Sequence, residues 1–435
     1  WETGTATKGA VIRAVKLFDG YVYFTTAGNL ESTAPVVEAN ALIAVYSTPT
    51  VGNETNVHWS WHIWSTSYDP KATGGFFSYQ TRQIASSNTS YNSVASRTEK
   101  VMTRNLGAAW NDNTSKSFGL LYQWGRKDPF VGASSNASGT TTFATSTMGQ
   151  KWGDASHVKT LTGASETNIT SAIANPTTFY LQRNTTQYDW VGDTYANQRD
   201  NLWGNPNTTT KTPNTARGSK SIYDPCPPGW RVAPQDTWTR FTTHGYNTSN
   251  ASEFNVKGSF NYGWNFIYAG PDKTGSEAFY PAAGYRNNAT GALDVVGTNG
   301  YCWSSSSYNA GNNNAGMLNF NSGNVNPLNG GNRGNARAVR CVQHLPGISD
   351  ADRTMRIRTA PYDPEWQGPR FQPERSVDSA IRWRCPGPRA RKRRQLYIPA
   401  YCGVAALRGA PSRQTFQRLR LTLKLRATAT VRREP

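Results

Sequence analysis

Eleven asparagines fall within the 27 residues from Asn309 to Asn335, beside Tyr301, Trp303 and Tyr308. An asparagine side chain is compact, both donates and accepts hydrogen bonds, and tolerates turn geometry. Adaptable polar groups around rigid aromatic anchors have the chemistry of a recognition surface, in which the rings supply binding energy and the amides supply register. Apolar residues recur through the same stretch at Met317, Leu318, Phe320, Val325 and Leu328. A disordered Asn-rich tract would lack such a framework. The segment therefore reads as alternating framework and surface positions.

Catalytic and metal-binding patterns are weak by comparison. The five histidines are His58, His62, His157, His244 and His344. His58 and His62 are four apart, but in a strand-like run they do not share a helical face, so a metal pair is not expected. No GxSxG elbow, phosphate-binding loop or HExxH sequence occurs. Asp128 and Asp224 each precede a proline and read as turn residues rather than a carboxylate pair. The five cysteines, Cys226, Cys302, Cys341, Cys385 and Cys402, show no metal-ligand spacing. The expectation is a protein with no enzymatic activity, cofactor or metal.

Elements must position the Asn-rich surface. Residues 1–66 read as a β-rich segment, a partial sandwich, from the runs 11–17, 21–25, 41–46 and 57–64. Trp59, Trp61 and Trp64 read as one face of a core strand, with a sugar-stacking platform as the alternative. Residues 67–300 are rich in Gly, Ser, Thr and Asn. They suggest short strands and long ordered loops, with helices at 166–174 and at 234–244, the latter stopped by Gly245. A further strand is expected over 336–342.

Charge separates the chain into two compositions. Of the 46 Lys+Arg and 27 Asp+Glu, residues 345–435 hold 20 and 7. That tail thus carries +13 of the net +19, and all 37 asparagines lie before it. The cluster at 389–394, RARKRR, would attract anions. Most of the excess charge lies outside the Asn-rich part, so no specific nucleic-acid partner is expected. The tail reads as a disordered or non-native extension past an end near His344. No run of 18 apolar residues marks a membrane span. The chain opens at Trp1, so any secretion signal or lipid anchor is expected to lie outside it.

Seven phrases occur in order: HWSWHIW (58–64), VMTRNLGA (101–108), FGLLYQWGRKDPF (118–130), SIYDPCPPGWRV (221–232), FYPAAGYR (279–286), YCWSSS (301–306) and RAVRCV (337–342). The series resembles the major paralogous domain of surface proteins in Bacteroides-like bacteria and their phages. It is similar also to the variable proteins of diversity-generating retroelements. One departure, RVAP at 231–234, affects a local turn.

The resemblance implies an α+β, C-type-lectin-like fold related to formylglycine-generating enzyme. Such a domain would span residues 67–344 and follow the β-rich segment, with few helices and a variable region at 301–344. In retroelement-diversified proteins, adenine-directed mutagenesis acts on Asn codons and introduces no stop. The implied ligand-binding residues are Tyr301, Cys302, Trp303, Tyr308, Asn309, Asn312, Asn313, Asn314, Asn319, Asn321, Asn324, Asn326, Asn329, Asn332 and Asn335. A static Asn-rich surface in an undiversified relative is the alternative.

Cys226 and Cys341 sit inside two of the phrases, and the resemblance implies a disulfide between them in an oxidising compartment. The sequence Trp110-Asn111-Asp112 spells a calcium motif of true C-type lectins. It lies far from the terminal cysteine and lacks a second calcium sequence, so calcium-dependent sugar binding is not expected. The implied function is ligand binding or adhesion at a bacterial surface, free or lipoprotein-anchored, or on a phage virion. The partner would be a protein or glycan on a cell. A structural or tip component of a surface fibre, and a carbohydrate-binding module using the three tryptophans, are the other readings.

Overall fold

Strands are built wherever apolar, aromatic and β-branched residues alternate with polar ones. Four open the chain: β1 (Ile12–Phe18), β2 (Tyr21–Thr26), β3 (Ala39–Tyr46) and β4 (Val57–Ser65). Each begins within two residues of the run read from the sequence. The computed structural model describes residues 11–18, 21–26, 38–46, 57–84, 96–136, 158–159, 168–182, 188–191, 199–204, 220–308, 314–344, 402–404 and 417–420. Asn309, Asn312, Asn313, Cys385 and the basic cluster at 389–394 lie outside the described residues.

The next strands are β5 (Phe76–Gln80), β6 (Thr98–Met102), β7 (Leu121–Gln123), β8 (Val158–Lys159), β9 (Phe179–Tyr180) and β10 (Trp230–Val232). They are followed by β11 (Val256–Lys257), β12 (Gly263–Ala269), β13 (Ser276–Pro281), β14 (Tyr285–Arg286) and β15 (Leu293–Asp294). The Asn-rich part forms β16 (Gly300–Ser307), β17 (Asn314–Phe320), β18 (Val325–Asn332), β19 (Ala336–Ala338) and β20 (Cys341–Gln343). Within the tail, β21 (Cys402–Val404) pairs with β4 and β22 (Gln417–Arg420) pairs with β2.

The largest sheet has the order β15-β14-β19-β16-β17-β18, with β7 also paired to β19. A second sheet runs β10-β20-β6-β5, and a third β11-β12-β13. The expected single strand over 336–342 is split into β19 and β20. This hands the chain from the largest sheet to the second, because Ala338 pairs with Leu121 while Cys341 pairs with Val232.

Helical structure is sparse among the described residues. The one α-helix, α1, spans Asn168–Ala174, close to the expected position. The helix expected at 234–244 is a 3-10 helix over Gln235–Phe241, preceded by Pro234 in extended conformation. Thr237 and Thr239 are stiff β-branched residues that do not favour a long α-helix. Gly245 follows with a φ of 92°, the left-handed geometry that suits glycine.

The expectation of an α+β, C-type-lectin-like fold is corrected by this architecture. The described chain is β-rich, and its fold is not identified. The Gly-, Ser-, Thr- and Asn-rich sequence offers little 3.6-residue apolar periodicity, so strands rather than helices make up most of the regular structure described.

Two large apolar clusters lie against the main sheet. One gathers Phe241, Phe266, Tyr280, Cys302, Leu318, Phe320 and Val325. The other gathers Trp64, Tyr122, Trp124, Trp203, Trp230, Trp303, Met317 and the two half-cystines Cys226 and Cys341. These cysteines form a disulfide with a Cα–Cα distance of 5.9 Å, closing a sequence separation of 115. Asp224 organises the turn before it. Its Oδ1 accepts from Cys226 N at 2.8 Å and Lys220 Nζ at 2.7 Å, and its Oδ2 accepts from Val232 N at 3.0 Å.

Trp59, Trp61 and Trp64 are all buried. The first two pack in an N-terminal cluster with Val22, Phe24 and Ile43, and the third packs in the tryptophan-rich cluster. They present no open stacking platform, which removes the basis for a carbohydrate module on that strand.

Candidate functional site

Strands β16, β17 and β18 are an antiparallel meander whose register sets the site. Tyr301 pairs with Asn319, and Asn319 pairs with Asn326. Successive residues on a strand point to opposite faces. One face carries Cys302, Leu318, Phe320 and Val325 into the apolar core. The opposite face carries Trp303 and Met317 against the tryptophan-rich cluster. Further along that same face, Tyr301, Asn319, Asn326 and Asn329 are only half-buried.

The amides of this open end are mutually bonded. Asn326 Nδ2 donates to Asn319 Oδ1 at 3.1 Å and to Asn324 Oδ1 at 3.0 Å. Asn329 Nδ2 donates to Asn319 Oδ1 at 3.3 Å, and Asn329 Oδ1 accepts from Gly330 N at 2.9 Å. Asn319 Oδ1 thus accepts from two neighbouring amides.

An aromatic group adjoins the amides. Tyr285 on β14 and Tyr301 on β16 meet edge to face, with ring centroids 5.3 Å apart. Arg337 on β19 packs on both rings and on Trp303, at 5.2, 5.0 and 4.5 Å from the centroids. Asn299 Nδ2 donates to Tyr301 Oη at 3.2 Å, and Tyr285 Oη donates to Asp294 Oδ2 at 3.0 Å. Burial, followed by the Asp294 carboxylate, pushes the Tyr285 phenol up to about 12. Burial lowers the Arg337 guanidinium to about 10. Both groups keep their usual charge at neutral pH.

The expected site residues that the structure describes separate into four groups. Tyr301, Asn319, Asn324, Asn326 and Asn329 come together at the open end of the sheet. Tyr308 lies on the other face: a Cβ at Gly330 would come within 2.6 Å of its ring, whereas one at Gly331 would meet Met317 and Arg337 Nη1. Asn314 and Asn332 flank the meander, paired with each other, and use backbone carbonyls to accept from Arg333 and Arg337.

Four expected surface positions have internal roles instead. Cys302 is a free thiol 1% exposed in the core, where burial pushes its pKa up to about 12. Trp303 is buried, and its indole N–H donates to Tyr122 O at 2.8 Å. Asn335 is buried, and its Oδ1 accepts from Asn288 N at 2.7 Å. Asn321 shapes the β17–β18 turn, its Oδ1 accepting from Gly323 N at 2.7 Å and Asn324 N at 2.9 Å. An asparagine that fixes a turn has the same local sequence appearance as one that faces solvent.

Tyr285, Asn299 and Arg337 were missed by the sequence reading as site residues. Tyr285 and Arg337 stand inside the phrases FYPAAGYR and RAVRCV, and that was the available signal. No group of three or more metal-binding side chains occurs among the described residues. Trp110 is half-exposed, and Asp112 Oδ1 accepts from Thr114 N at 3.0 Å within its loop. His62 is buried with Nε2 2.8 Å from Asn40 Oδ1, while His58 is exposed. A small cavity of about 10 Å³, lined by residues including Arg126, Lys127, Trp190 and Tyr223, has room for about one water. No helix of the described residues is long and apolar enough to cross a membrane.

Comparison with family models, with curated proteins and with solved structures found no match.

Proposed function

We propose that the chain is a ligand-binding protein displayed on a bacterial surface or a phage virion, and that the open end of the β16–β18 meander is its recognition face. One observation carries this reading. Tyr301, Asn319 and Asn326 form a continuous half-exposed row across three strands whose other face is locked into the core. Such a row presents an aromatic ring beside amide groups on a rigid scaffold, the combination expected of a recognition surface. The order of the seven sequence phrases supports kinship with retroelement-diversified surface proteins, in which the Asn positions would be the varied ones.

Display at a surface agrees with the Cys226–Cys341 disulfide, since such bonds persist in oxidising compartments. The test is adhesion of the purified chain to intact cells. Replacing Tyr301, Asn319 and Asn326 together by Ala is expected to abolish adhesion while the chain still unfolds cooperatively. Adhesion undiminished in that variant overturns the reading. A template repeat and reverse-transcriptase gene in the flanking DNA are expected if the face is diversified; their absence overturns the diversification but not the binding.

A further inference from the structure

We propose that this face takes an acidic glycan, with Arg337 receiving the sugar carboxylate and the Asn319–Asn326 pair receiving sugar hydroxyls. The inference deepens the ligand-binding reading above and rests on it.

Arg337 makes fewer hydrogen bonds than Arg126 or Arg340, although each of those also leaves one nitrogen without a partner, Nε of Arg126 and Nη2 of Arg340. Arg333 bonds Asp200 and Asn314 O, and Arg340 bonds Asn105 Oδ1 and Phe279 O. Arg286 bonds two backbone carbonyls, and Arg126 bonds three together with Gln123. Arg337 is only 5% exposed, yet it makes one hydrogen bond, to Asn332 O at 3.3 Å, and its Nε has no partner. No carboxylate of the described residues forms an ion pair with it. The nearest acidic neighbour of the ring cluster, Asp294, is engaged by the Tyr285 phenol.

A buried charge without an opposite charge is costly, and three aromatic rings offset that only in part. A planar guanidinium that retains free N–H groups is matched in geometry to a carboxylate, and the pairing is strong where water is excluded. The surrounding groups fit a sugar. Tyr285 and Tyr301 are half-buried rings that offer an apolar surface for sugar C–H groups. The half-buried Asn319 and Asn326 amides carry both donors and acceptors, which suits hydroxyls that both donate and accept.

A peptide ligand is disfavoured by the sheet edge. Strand addition needs free backbone groups. On β18, Asn247 Oδ1 accepts from Leu328 N at 2.9 Å, and Thr248 and Val325 exchange backbone bonds at 3.0 Å.

The experiment is calorimetric titration of the full chain with sialyllactose and with galacturonate oligosaccharides, each beside its methyl ester. Binding of the acids at least ten-fold tighter than their esters is expected. Arg337→Gln should erase that preference, and Asn319→Ala with Asn326→Ala should weaken acid and ester alike. Equal affinity for acid and ester overturns the proposal, as does an acid preference that survives Arg337→Gln or polyglutamate binding as tightly as the sugars. If Arg337→Gln does not fold, the acid–ester comparison on the unaltered chain decides alone. Cell adhesion that requires Tyr301 and Asn319, with no binding to any sugar, overturns the acidic-glycan inference and leaves the binding reading standing. Adhesion indifferent to those residues overturns both.

Discussion

The two faces of β17 and β18 are made by the same residues in alternation, yet they obey different rules. On the inner face Leu318, Phe320 and Val325 are wholly enclosed, and Phe320 meets Phe266 edge to face at 5.1 Å. At the open end of the other face, Asn319 and Asn326 are half-covered and bond chiefly to other asparagines. A strand period of two keeps these sets apart without any loop between them. A change at a face position therefore reaches its neighbours on that face and leaves the core contacts in place. This separation is what a surface that tolerates substitution requires.

The comparison breaks if stability does not follow it. The largest effect belongs to the covalent clamp behind the faces. Removing the Cys226–Cys341 bond, whose ends are 115 residues apart, should cost about 4–5 kcal/mol by chain-entropy estimates, read by denaturant unfolding. A midpoint unchanged by Cys226→Ser with Cys341→Ser would show that the tryptophan-rich cluster holds without it.

On the inner face, Phe320→Ala should cost about 3–5 kcal/mol, as large buried aromatics do. A loss under about 1 kcal/mol would mean that the enclosed face is not the framework. Asn335→Ala sharpens the contrast between asparagines. It leaves Asn288 N without its acceptor, and about 1–3 kcal/mol should be lost. Asn319→Ala and Asn326→Ala should each stay within about 0.5 kcal/mol, because surface substitutions away from special features usually do. A larger loss at these two positions would erase the distinction between open and enclosed asparagines.

Much of this division was legible in the sequence. Met317, Leu318, Phe320, Val325 and Leu328 mark the framework by their spacing, and β17 and β18 contain all five. The N-terminal strands and α1 followed from local pattern in the same way. The overall fold class did not follow, because it depends on which strands pair. Cys302 showed the limit of position-based reading: it sits in a surface-like stretch, but its place opposite Leu318 puts it inside. Arg337 was illegible for a related reason. Its neighbours Tyr285 and Tyr301 come from separate strands, and only the pairing through β19 gathers them.

The sealed border of β18 has a consequence for how such a face can change over time. An unpaired strand edge invites other chains to add on, and sequences that vary freely next to one risk aggregating. Here the Asn247 amide and the Thr248–Val325 bridge occupy that border from outside the Asn-rich stretch. A change of side chain on the open face therefore leaves that border covered, and the exposed backbone does not grow with it.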